Sequence, residues 1–142
     1  RTMAESFALL AELSGEVARL MQEKRSDAHL EKVEQLKRLI RERLAEDLSL
    51  DELARHVQLS PNYVSTLFSS VTGESFIEYL NRMRLEKAAR LLAEDPKLSV
   101  GAIAKQTGYR NSQYFCNRFK ARYGVTPSQY RTAERMRTRL AE

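Results

Sequence analysis

The chain has a single cysteine, Cys116, and only two histidines, His29 and His56. One cysteine makes no internal disulfide, which suits a reducing compartment, so a cytoplasmic location is expected. Neither histidine has a partner at metal-ligand spacing, so no metal site is expected. No apolar run approaches the ~18 residues of a membrane span and no signal-peptide core is visible, so no membrane partner is expected. Nucleophile–base sets and phosphate-cradling glycine loops are missing too, which nominates no catalytic residue, no cofactor and no enzyme. Acidic residues are absent from the whole of 96–133, a stretch that carries Lys97, Lys105, Arg110, Arg118, Lys120, Arg122 and Arg131. A basic segment without compensation is the electrostatic footprint of a polyanion partner.

What is present is a chain of 142 residues, 42% of them apolar, enough for the core of one domain and an appendage. Its net charge of +5 is unevenly spread: 10 Lys and Arg face 12 Asp and Glu over 1–73, but 14 face 7 over 74–142. The first residue is Arg1 rather than methionine, so the chain is read as part of a longer protein.

Helical periodicity runs nearly throughout, with no competing strand alternation. Ser49 and Glu52, Ser75 and Glu78, and Thr126 and Gln129 have capping-box spacing. Pro61 and Pro127 stand at first helical positions, and Gly73 and Gly124 where a helix needs a left-handed end. Asp27 is a candidate N-cap after a break over Arg25–His29. Leu30, Val33, Leu36, Leu39, Ile40 and Leu44 form the apolar stripe of the helix that follows. The expected helices, after a leading one, are 28–46, 50–57, 61–72, 76–93, 100–107, 111–123 and 127–138.

Two stretches about fifty residues apart repeat each other. Leu50, Leu53, Ala54 and Val57 match Val100, Ile103, Ala104 and Thr107; beyond the turn Tyr63, Phe68 and Gly73 match Tyr114, Phe119 and Gly124, now offset by 51. Each copy reads as helix, tight turn, second helix: the helix-turn-helix pattern, whose second helix can enter a DNA major groove. Leu53, Ala54, Val57, Val64, Leu67 and Phe68 are expected in the first core, and Ile103, Ala104, Tyr109, Phe115, Phe119 and Tyr123 in the second. The candidate DNA-facing residues are then Pro61, Asn62, Ser65, Thr66 and Ser69 in the first unit. In the second they are Arg110, Asn111, Ser112, Gln113, Tyr114, Asn117, Arg118 and Lys120. Asn and Gln pair with adenine edges and Arg with guanine. The second helix offers all three, whereas no Lys or Arg occurs from Leu59 to Thr72. Lys105, Arg122 and Arg131 are candidate phosphate contacts.

Ile103-Ala104, Gly108-Tyr109, Tyr114-Phe115, Phe119-Lys120, Gly124, Thr126-Pro127 and Tyr130-Arg131 closely resemble the C-terminal signature of AraC/XylS-type bacterial transcription regulators. Leu53-Ala54, Leu59-Ser60-Pro61, Tyr63, Leu67-Phe68 and Gly73 look like the first helix-turn-helix of the same family. The resemblance covers about 30–132. It implies an all-α, seven-helix domain of two helix-turn-helix subdomains joined by a long helix, preceded here by an extra N-terminal amphipathic helix. It assigns base reading to Asn62, Ser65, Thr66, Ser112, Gln113, Tyr114 and Asn117. It implies double-stranded DNA and RNA polymerase as partners, and an upstream sensing or receiver domain, as in a two-component response regulator. The domain would occupy 29–142, with a first unit over 29–74, a linker helix over 76–93 and a second unit over 97–138.

Residues 1–28 are expected to be a linker or dimerisation helix. Met3, Phe7, Leu10, Ser14, Val17 and Met21 follow the heptad spacing of a coiled-coil seam, while Leu9, Leu13 and Leu20 widen the stripe. A homodimer through 1–25, docking on the chain's own domain, or the cut end of a longer element all fit. The competing function is a helical interaction module that binds an acidic partner or itself.

Overall fold

A computed structural model of the chain describes residues 27–141, together with Gly15 and Arg19, which are helical. The Met3–Met21 seam therefore lies outside the described residues. Those described form seven helices and no strand: α1 over 27–42, α2 Leu50–Val57, α3 Pro61–Thr72, α4 Phe76–Glu94, α5 Val100–Gln106, α6 Ser112–Tyr123 and α7 Pro127–Ala141. The starts follow local capping chemistry. The side chains of Ser49, Ser60, Ser75 and Ser99 accept from the backbone N–H of Glu52, Tyr63, Glu78 and Ala102. At α7 the box closes in both directions: Thr126 N–H donates to Gln129 Oε1 at 3.0 Å and Gln129 N–H to Thr126 Oγ1 at 3.2 Å. Gly73 and Gly124 end α3 and α6 at φ 80° and 79°, a left-handed conformation that a Cβ disfavours.

The helices build two separate cores. Val33, Leu36 and Ile40 of α1 pack with Leu53, Val57, Val64 and Phe68, and with Phe76, Tyr79 and Leu80 from the first half of α4. Leu85, Ala88, Ala89 and Leu92, from the second half of α4, pack with Ile103, Ala104, Tyr109, Phe115 and Phe119. One helix of 19 residues thus serves both units, spanning about 28 Å at 1.5 Å per residue. Ala54 and Ala104 are small and buried at matching positions, as expected where two helices cross closely.

Five expectations change. Asp27 already lies within the helix and is not its N-cap, and α1 ends at 42 rather than near 46. Leu30 is 51% exposed and takes no part in the first core, which α1 enters from Val33 onward. Tyr123 is half-buried, its ring 5.4 Å from that of Tyr130 at the edge of the second core. Arg131, expected at a phosphate, instead donates from Nε to Leu92 O (3.2 Å) and from Nη2 to Asp95 O (3.3 Å). Leu92 O has no i+4 amide to accept from, because Pro96 carries no N–H, while Asp95 O also accepts from Leu98 N–H. Arg131→Ala is expected to lower stability by about 1.5–3 kcal/mol, as for charge-assisted hydrogen bonds. Urea unfolding would measure that loss; weaker DNA binding without it would return Arg131 to the interface.

Candidate nucleic-acid interface

The second helix of each unit is aimed by the turn before it, and the two turns share one hydrogen-bond pattern. Gln58 N–H donates to Arg55 O and Leu59 N–H to Ala54 O; fifty residues on, Gly108 N–H donates to Lys105 O and Tyr109 N–H to Ala104 O. Gln58 and Gly108 both take positive φ, 58° and 100°. The offset then becomes 51: Ser60 Oγ caps Tyr63 N–H and Asn111 Oδ1 caps Tyr114 N–H. The extra residue of the second turn is therefore Arg110. Its Nη2 lies 2.8 Å from Oδ2 of Asp47, across the gap between the units.

On α3 the side chains of Asn62, Ser65, Thr66 and Ser69 are exposed, while Val64, Leu67 and Phe68 are buried. Pro61 is half-buried at the first helical position, and Thr66 Oγ1 donates back to Asn62 O at 3.0 Å. Tyr63, absent from the candidates, is 41% exposed, and its hydroxyl lies 2.7 Å from His29 Nε2 on α1. The repeat could have found it, since Tyr63 matches Tyr114, which is 52% exposed.

On α6 the side chains of Ser112, Gln113, Tyr114, Asn117, Arg118 and Lys120 are exposed over a base of buried Phe115 and Phe119. Asn111, expected as the first residue of this helix, is its N-cap, with Oδ1 already engaged. Gln113 Nε2 donates to Asn117 Oδ1 at 3.2 Å, so one turn of the helix presents the two amides together. Gln113 Oε1 is then left to accept and Asn117 Nδ2 to donate. Arg118 lines the cleft toward α4 with Glu74, Glu78 and Arg82. Arg122 pairs there with Glu86 at 3.2 Å, with both side chains more than a third exposed. Lys105 stays exposed near the end of α5.

Beneath the turn, Tyr109 is buried and its hydroxyl donates to Asn81 Oδ1 at 3.4 Å; burial pushes its pKa up to about 12, so it stays protonated at working pH. Burial likewise draws the Arg84 pKa down, yet a guanidinium keeps its charge. Among the described residues no His, Cys, Asp and Glu group could hold a metal ion, and no helix is long and apolar enough to cross a membrane.

Two turns of matched geometry, each presenting a polar helix face, define a double helix-turn-helix domain. Known proteins carry the same arrangement. A helix-turn-helix domain family profile matches residues 53–133, through both units. The regulatory protein PocR of Salmonella typhimurium is 39% identical over 103 residues, 72% of this chain and 34% of PocR. The C-terminal domain of AraT, a response regulator from Geobacillus stearothermophilus, is 36% identical with a TM-score of 0.68, over 72% of this chain and 84% of that one. The DNA-binding domain of the transcriptional factor AdpA, solved with a target DNA, is 28% identical with a TM-score of 0.69, over 74% of this chain and 94% of that one. The chain belongs to the AraC/XylS family of helix-turn-helix transcription regulators. That family and these neighbours are DNA-binding regulators rather than enzymes. The chain spans between 14% and 46% of the length of curated relatives it matches, and 34% of PocR.

Proposed function

We propose that this chain is the sequence-reading part of a transcription regulator and sets α3 and α6 into successive major grooves on one face of duplex DNA. The observation that carries this reading is the twice-built turn, which offers an exposed polar face on both second helices. The basic stretch 96–133 supplies phosphate attraction around the second. The two units differ in task. On α6 the Gln113–Asn117 pair, with Ser112, reads base edges, and Arg118 and Lys120 add positive charge. On α3 Asn62, Ser65, Thr66 and Ser69 bring no charge, so this helix works through short hydrogen bonds and thymine-methyl contacts.

The regulator acts in the cytoplasm with RNA polymerase as a further partner, needs no cofactor, and is governed by an upstream sensing or receiver domain. That AraT is a response regulator favours a receiver. Residues 1–25 would join two copies.

Selection from a random duplex library, followed by titration of the winner against scrambled DNA at two salt concentrations, tests the reading. Two enriched blocks about one helical turn apart are expected. Binding with neither sequence preference nor salt dependence would favour a protein-interaction module instead. Gln113→Ala or Asn117→Ala is expected to cost roughly 1–3 kcal/mol on the selected site and to relax preference at one base pair. Equal losses on selected and scrambled duplexes would make both residues backbone contacts.

A further inference from the structure

The buried apolar residues divide into two clusters at the middle of α4, with Leu80 in the first and Leu85 in the second. Between them stands Arg84. Its Nε donates to Leu44 O and its Nη2 to Glu46 O, both at 2.9 Å, so one guanidinium closes the chain end that follows α1 in the first unit. The same guanidinium lies over the ring of Tyr109 in the second unit, 5.7 Å from its centroid. Gly108 packs so closely here that a Cβ would overlap both the Leu44 carbonyl oxygen and the Arg84 side chain. Arg84 thus touches both units and α4 at one point.

The remaining links across the gap are weaker by nature. Asp47 and Arg110 pair with both side chains more than four-fifths exposed, and exposed pairs contribute at most about 1 kcal/mol. The Glu74–Arg82–Glu86–Arg122 chain on the other side is only part-shielded. A planar fork donating to two fixed carbonyls while stacked on an aromatic ring holds a defined angle, which flexible exposed pairs do not.

We propose that Arg84 is a positioning residue that locks the angle between the two helix-turn-helix units and so sets the block spacing this protein accepts. This rests on the reading that both units enter grooves. One inserted base pair turns the next groove by about 34° and moves it about 3.4 Å, so a locked pair of helices tolerates little change. With Arg84 removed, the units are joined only by α4, the exposed pairs and the backbone contact of Gly108 with Leu44, none of which has the directionality of the fork, and each can turn more freely to follow its own block.

The test uses the 142-residue chain on duplexes carrying the two selected blocks at their preferred spacing or with one or two base pairs inserted. Wild type is expected to lose about tenfold or more on a two-pair insertion, since one unit's base contacts fall out of register. Arg84→Gln is expected to lose less than about threefold while binding each isolated block as wild type does. Arg84→Lys keeps the charge without the fork and should fall between, and it carries the comparison should the glutamine variant melt below the assay temperature. If both variants stay as spacing-sensitive as wild type, the clasp is overturned and the two-groove reading stands. If wild type itself ignores spacing, the two-groove reading falls and the clasp's role falls with it.

Discussion

Phe119→Ala is expected to cost about 3–5 kcal/mol of stability and to abolish sequence-specific DNA binding. Phe119 has no exposed surface, and its ring sits 5.8 Å from Phe115, 4.5 Å from Tyr123 and 5.4 Å from Tyr130. It is the shared anchor of α6 and α7, so truncation leaves a cavity under the helix proposed to read bases. A domain this size has about 5–15 kcal/mol in total, so the loss is a large part of it. Because the cores are separate, the damage should concentrate in the second unit: urea unfolding should show that unit opening first. A loss below about 1 kcal/mol would mean that α6 is held by something other than this aromatic cluster.

Gly108→Ala is the second large effect, expected at roughly 2–4 kcal/mol from two additive causes. At φ 100° a Cβ is strained by its own backbone, and here it also meets the Leu44 carbonyl oxygen. Gly124 separates the two: its φ is 79°, but nothing lies within 4 Å of where its Cβ would be. Gly124→Ala should therefore show only the conformational part, about 1–2 kcal/mol. Equal losses in paired urea titrations would remove the claim of close approach between the second turn and the first unit.

Much of the domain was legible in the residues because its signals are local. A serine or asparagine cap, a proline at the first helical position and a glycine at the end act within a few residues, so α2 to α6 begin and end within a residue of expectation, while α1 stops four residues short and α7 runs three further. Asp27 misled for the same reason: it is a good N-cap type, but the residue itself is helical. Tyr63 was placed in neither the core nor the outward set, although its repeat partner Tyr114 was already among the outward residues. Gln58 was missed because glycine is the usual signal for positive φ, and only the match to Gly108 marks the position.

The sequence alone determined the class of the fold, the two units and which helix faces point outward, since periodicity and capping need no knowledge of distant residues. It determined the family too, through motifs set in register with those helices. Only the tertiary structure decided what each basic side chain does. Arg131 meets carbonyls 39 and 36 residues away, Arg122 meets Glu86 36 residues away, and Arg84 meets carbonyls 40 and 38 residues away. A long flexible cation is compatible with solvent, phosphate or carbonyl alike, so the choice falls to whichever acceptor folding brings within reach.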